Sequence, residues 1–195
     1  MPHNKLKEYN IILASASPRR QQFFNEMGID TKVDPIYMDE TYPDHLKSAQ
    51  ISDYLAELKA SGYKAKLGNR DILITSDTVV WHNHKSLAKP ADEVEAFGML
   101  KTLSNDWHEV ITSVCFTTNT RQQTENHCTR VKFSELTEEE IWHYIKNYNP
   151  FDKAGGYGIQ DWIGLVGIEE IQGSYTNVVG LPTQLVYKTL MTMVS

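Results

Sequence analysis

Apolar residues recur along the chain in two rhythms, and the alternation between them predicts the elements. Ile11-Ile12-Leu13 is a short apolar run of strand type, and Phe23, Phe24 and Met27 behind it are spaced as one face of a helix ending at Gly28. An extended piece follows over Thr31 to Ile36. Ile51, Tyr54, Leu55 and Leu58 then mark an amphipathic helix running to about Lys64. Ile72 to Thr75 reads as a short buried strand, Thr78 to Trp81 continues as strand, and His82-Asn83-His84-Lys85 reads as a hairpin turn. Asp92 caps a helix through Leu103 with Phe97 and Leu100 inward, and two β-type runs follow, Val110 to Thr118 and Thr129 to Phe133. Thr137-Glu138-Glu139-Glu140 is a capping box for a helix with Ile141, Tyr144 and Ile145 on its inner face. A glycine-rich loop from Pro150 to Gly158 leads into strand material from Trp162 to Ile171, and Pro182 opens a last helix carrying Leu185, Val186 and Leu190. No repeat, low-complexity segment or linker interrupts this order. It is an α/β order, and the adjacent β runs in its middle predict a mixed sheet.

Length adds that 195 residues suit one domain, 1–195, or one domain with two lobes. No apolar run approaches 18 residues, which excludes a membrane-spanning helix, and Met1 to Glu8 lacks the apolar stretch of a secretion signal. Cys115 and Cys128 have no metal-type spacing and read as reduced packing residues of a cytoplasmic protein. The net charge of −6 argues against a general nucleic-acid binder. An acidic chain that binds phosphate must gather its positive charge locally or recruit a divalent cation. That expectation points to a small anionic ligand in a cleft.

Several segments carry candidate chemistry. In Ser15-Ala16-Ser17-Pro18-Arg19-Arg20, Ser17 is placed as an N-cap and Pro18 as the first helical residue, so free backbone N–H groups and the helix dipole meet two hydroxyls and two arginines. Arg suits phosphate because its planar fork binds bidentately. Asp77, in Thr75-Ser76-Asp77-Thr78, follows a short apolar strand, and strand ends in α/β sheets are where ligands collect. A carboxylate there can hold Mg²⁺ or accept a proton from water, and residue type alone does not separate the two. Asp39-Glu40 lies in a polar loop where Glu40 could be a second carboxylate for a hard cation; Lys59 and Lys89 could each reach a phosphate as point charges. In Asp152 to Gln160 three glycines permit close backbone approach, Tyr157 offers a stacking face, and Gln160 carries both a donor and an acceptor for a base edge. His82 and His84, in a hairpin turn with no third ligand nearby, read as solvated rather than metal-bound.

Taken together, these segments resemble the Maf family of nucleoside triphosphate pyrophosphatases. Ser15 to Arg20 matches its N-terminal signature; Asp39-Glu40, Leu58-Lys59-Ala60, Ser76 to Val80 and Lys89-Pro90 match internal blocks in order; Asp152 to Gln160 and Gly173 to Pro182 match its C-terminal blocks. The resemblance spans residues 9–190 and implies a mixed twisted β-sheet flanked by helices, with two lobes around a central cleft, as in ITPase-like proteins. Arg19, Thr78 and Gln160 resemble the branch acting on dTTP and UTP, although the family usually has Gly where this chain has Asp161.

The reaction the resemblance implies is release of pyrophosphate and a nucleoside monophosphate in the cytoplasm. Asp77 is then the proton acceptor beside Lys59 and Lys89, with Ser15, Ser17, Arg19, Arg20, Thr78 and Gln160 on the substrate. Glu40 and Asp77 hold Mg²⁺ or Mn²⁺. No nucleic acid or membrane partner is implied, and a homodimer is left open. Two other readings share parts of the pattern. One is a pyrophosphatase for purine triphosphates of the ITP or XTP type. The other is a nucleotide-sensing regulator of cell division without catalysis, against which Asp77 and both lysines count.

Overall fold

The structure, a computed structural model, describes residues 4–63 and 65–195. Its frame is a sheet in the order β2-β1-β3-β5-β6-β7, with β4 paired to β3. β1 (Asn10–Leu13) runs parallel to both β2 (Thr31–Val33) and β3 (Asp71–His82). The pairs β3–β4 (Lys85–Leu87), β3–β5 (Trp107–Thr117), β5–β6 (Gln122–Phe133) and β6–β7 (Ile168–Gln172) are antiparallel. The mixed sheet expected from the element order is therefore present. β1 to β3 needs a crossover, supplied by α1 (Pro18–Glu26) and α2 (Ala49–Gly62), whereas β5 and β6 are long neighbours joined by a tight turn.

Helices cover the sheet on both faces. α1 and the C-terminal α7 (Thr183–Met193) bury Phe24, Val186 and Leu190 against Ile11, Leu13, Ile72, Ile74 and Phe116. α3 (Glu93–Leu103) and α4 (Glu138–Tyr148) form a second core with Leu100, Leu103, Phe133, Ile141, Tyr144 and Ile145. Local chemistry sets their ends. Asp92 accepts from the Glu95 N–H, and Thr137 and Glu140 form the reciprocal capping box expected for α4. α2 lies on the opposite face of β3, where Leu73, Thr75, Asp77 and Val79 alternate toward it, and Thr75 Oγ1 donates to the Ala56 carbonyl at 2.7 Å.

Several expectations are corrected. Ile72 to Trp81 is one strand, β3, so Asp77 lies inside a strand rather than at its end. Trp162 to Ile171 begins as a helix, α5 (Trp162–Gly167), and only Ile168–Gln172 is strand; α6 (Tyr175–Val179) was not anticipated at all. Tyr54 is exposed, because the stripe α2 turns to the sheet is Ile51, Ser52, Leu55, Ala56 and Ala60. Cys128 is exposed too, on the face of β6 opposite buried Thr129, Val131 and Phe133, whereas Cys115 is buried. His82 is not solvated but buried, with Nε2 3.0 Å from Asp106 Oδ2. Asn83 and His84, both left-handed, make the hairpin turn. Lys64, the expected end of α2, lies outside the described residues, as does the start of the N-terminal segment, 1–3.

Candidate active site

The register of β3 creates the site. Its parallel partner β1 stops at Leu13, opposite Ile74, and β4 takes up the same edge only at Val80. Between these points the edge is open, while the other edge stays paired to β5 throughout. The Ser76 carbonyl is thus left free in mid-strand, and a buried free carbonyl needs a donor. Arg20 provides it. Its Nη1 donates to Ser76 O at 3.0 Å, its Nε to Gly180 O at 2.9 Å and its Nη2 to Thr78 Oγ1 at 3.1 Å, with Ser15 Oγ 3.5 Å from Nη1. Four of its five N–H groups therefore serve the protein, and one is left for the cleft.

A cleft of about 730 Å³ opens over this gap, a size suited to a nucleotide. Every site residue expected from the sequence lines it: Ser15, Ser17, Arg19, Arg20, Glu40, Lys59, Asp77, Thr78, Lys89 and Gln160. The N-terminus of α1 forms one wall, with Ser17 as N-cap accepting from the Arg20 N–H and Pro18 as first helical residue. Asp77 leaves β3 toward α2, where Lys59 Nζ lies 2.7 Å from Asp77 Oδ1 and 2.8 Å from Glu40 Oε1. Lys89 Nζ is 3.6 Å from Glu40 Oε2. Lys59 thus joins two carboxylates that are distant in sequence, and the charge expected to gather locally does so.

Burial pushes the Asp77 carboxyl above its ordinary value, outweighing Lys59 and Arg20. For Glu40 burial acts in the same direction, but the Lys59 hydrogen bond and charge, with Lys89 and Arg20, hold it below the usual range. The two carboxylates are therefore driven apart in their proton affinity. No hydrogen bond occupies Asp77 Oδ2 among the described residues, and Asp77 lines the cleft.

The opposite wall comes from the glycine-rich segment, which forms two short 3₁₀ turns, Pro150–Asp152 and Ala154–Gly156, packed against β3. Gly155 is required there: its φ is +71°, and a Cβ would meet Val80 Cγ1 at 3.0 Å. Asp152 crosses the cleft mouth to Arg19, 2.9 Å from Nη1. Tyr157 does not present a stacking face. Its ring is buried against Phe133 and its hydroxyl shares a 2.6 Å hydrogen bond with His108 Nε2. Gln160 stands exposed at the rim, while Asp161 turns inward to Tyr144.

Sequence reasoning missed the supports beneath these groups. Thr112 Oγ1 lies 2.9 Å from Thr78 Oγ1 and donates to the Asn177 carbonyl, and the buried Asn177 amide donates to Val110 O and Thr129 Oγ1. The available signal was a threonine and a serine, Thr112 and Ser113, inside the apolar run of β5.

A family model described as Maf-like protein matches residues 10–193. The chain belongs to the Maf family. Within it, the chain is similar to a dTTP/UTP pyrophosphatase of Flavobacterium johnsoniae, 51% identical over 194 residues covering all of both chains. It is 55% identical over 190 residues to the protein of the same name from Christiangramia forsetii, covering 97% of each. The structure of the Staphylococcus aureus Ham1 protein has the same fold, with a TM-score of 0.52 at 13% identity over 92% of this chain and 99% of that one. The Maf signature Ser15 to Arg20 is the wall and helix cap just described, and the other Maf-type blocks supply the lysines, the carboxylates and the Gln160 rim.

Proposed function

We propose that this chain hydrolyses dTTP and UTP between the α and β phosphates, giving a nucleoside monophosphate and pyrophosphate. The observation that carries this reading is the Glu40–Lys59–Asp77 cluster in a cleft sized for a nucleotide, in a chain so similar end to end to proteins named for that activity.

Asp77 Oδ2 accepts a proton from water as the water oxygen bonds to the α phosphorus and the bond to the bridging oxygen breaks. Pyrophosphate leaves with that oxygen. Lys59, fixed through Oδ1, orients the carboxylate and leaves Oδ2 for the water. Lys89, Arg19 and the remaining Arg20 N–H, with the Ser15–Ser17 turn, face the triphosphate and neutralise charge as it develops. Lys59 and Lys89 also release Glu40 when phosphate takes its place on them.

Glu40 fits a divalent cation, Mg²⁺ or Mn²⁺, because hard ions on triphosphates need only one or two protein carboxylates, and Asp77 would join it as a ligand only where Oδ2 takes the ion in place of the water proton. Among the described residues no group of three or more His, Cys, Asp or Glu side chains forms a metal cage, so the cation is expected to arrive on the substrate. When bound it supplies Lewis-acid neutralisation of the phosphates. Gln160, at the rim, offers its carbonyl and NH₂ to the donor–acceptor edge of uracil or thymine, in the cleft that Thr78 and Arg19 also line.

No helix among the described residues is long and apolar enough to cross a membrane. The cytoplasm, where nucleoside triphosphates are made and used, is the proposed compartment. Incubation with UTP or dTTP and Mg²⁺ or Mn²⁺ tests the proposal: monophosphate and pyrophosphate are the expected products, and orthophosphate with a diphosphate would contradict it.

A further inference from the structure

The turn that carries Gln160 is held from beneath by two side chains outside the cleft. Tyr144, on α4, is fully buried, and its hydroxyl accepts the Gly158 N–H at 2.9 Å and donates to Asp161 Oδ2 at 2.7 Å. The Asp161 N–H closes the turn onto the Gly158 carbonyl at 3.0 Å. The Asp161 carboxylate and the Gln160 amide nitrogen both fold over the Gly158 Cα. A Cβ there would lie 2.6 Å from Asp161 Oδ2 and 2.8 Å from Gln160 Nε2. A side chain at Gly158 would make these two groups move. The neighbours on either side, Tyr157 and Ile159, are buried in the α3–α4 core, so the turn has little freedom except through Gln160 itself.

Asp161 also continues a chain of alternating charge across the cleft. Lys153 Nζ lies 3.8 Å from Asp161 Oδ2 and 2.7 Å from Asp152 Oδ1, and Asp152 Oδ2 is 2.9 Å from Arg19 Nη1. The group at the phosphate wall and the group at the base rim are thus tied to one network.

We infer that Tyr144 and Asp161 are positioning residues that set base selectivity, by fixing the Gly158–Gln160 turn in the shape that aims the Gln160 amide. The inference rests on Gln160 reading the base. Its energetic logic is that a polar group discriminates best when the backbone that carries it is held in one place; a turn free to shift would let Gln160 follow any base edge. Without the Tyr144 hydroxyl, the Gly158 N–H and Asp161 carboxylate both lose their buried partner, and the turn must shift to find others.

The test uses Tyr144→Phe and Asp161→Asn, measuring kcat/KM for UTP and GTP, with inorganic tripolyphosphate as a competitor that has no base. The UTP/GTP ratio should fall by about tenfold in Tyr144→Phe and by at least about threefold in Asp161→Asn, with tripolyphosphate inhibition unchanged. Gln160→Ala should lower the ratio by itself, and adding Tyr144→Phe to it should lower the ratio no further, as expected for residues acting through one another. Asp161→Asn keeps the side chain's shape and serves if Tyr144→Phe fails to fold. A ratio that falls in Gln160→Ala but holds in both other variants overturns the positioning role and leaves base reading by Gln160 intact. Equal losses for UTP, GTP and tripolyphosphate would mark Tyr144 and Asp161 as merely structural. A ratio unmoved by Gln160→Ala removes the base reading, and this inference with it.

Discussion

The Lys59 ammonium lies 2.7 Å from the Asp77 carboxylate, in a pair with only 12% and 10% of its side chains exposed. It joins α2 to the middle of β3 where the edge between β1 and β4 is open. Burial raises Asp77 even with the cation beside it. The pair therefore holds a carboxylate that is more basic than a surface aspartate.

Asp77→Asn should lower kcat by at least about 10²-fold, the usual weight of a general base, with the fold intact by circular dichroism. Near-normal turnover in a folded variant would assign proton acceptance elsewhere.

The acid limb of kcat/KM should follow Asp77. The base works only when deprotonated, so activity falls as pH drops through its raised pKa, at a pH above the ordinary aspartate value. Glu40, held low by Lys59, should not set this limb. A profile flat across the acidic range in which the fold survives would contradict the assignment.

The adjacent arginines should separate in kind. Arg20→Ala strips donors from the Ser76 and Gly180 carbonyls and from Thr78, and should destabilise the fold by a few kcal/mol in chemical denaturation. Arg19→Ala loses one half-exposed ion pair with Asp152, so its stability should change by less than about 1 kcal/mol while KM rises for every triphosphate. Equal stability losses would show that Arg20 is not the bracket of the open edge.

How much of this was legible follows from the kind of signal each residue gives. Ser17, Pro18 and the Thr137 capping box announce themselves locally, because a cap needs only its own first turn. The site residues were legible as ordered blocks, and the cleft gathers all of them. The position of Asp77 was not, since a strand with polar residues in mid-run looks like two strands until the stop of β1 at Leu13 is known. Short apolar runs fit either period, which is why Trp162–Gly167 reads as strand. The β-branched Thr176, Val178 and Val179 disguise α6, whose ends are set by the Ser174 cap and by Gly180 at φ +124°. Tyr157 looked like a stacking face because an aromatic beside glycines suggests a ligand. Only the His108 contact shows where it points.

His108 yields a stability prediction. Burial, aided by nearby His82, lowers it from the ordinary 6.5 to about 3. Between these values the unfolded chain takes up a proton that the fold refuses, so stability falls as pH drops through that window, by up to about 1.4 kcal/mol per unit. His108→Gln should be weaker at neutral pH but show a shallower acid loss in thermal melts. Parallel curves for the two proteins would contradict this.

Turnover of UTP in water enriched in ¹⁸O reports which phosphorus the water attacks, and so whether the cleft hydrolyses the bond between the α and β phosphates as proposed. Attack on the α phosphorus puts one ¹⁸O in the uridine monophosphate and none in the pyrophosphate. Label in the pyrophosphate would place attack on the β phosphorus, and unlabelled products or no turnover of any triphosphate would contradict the assignment of this cleft as a hydrolytic site.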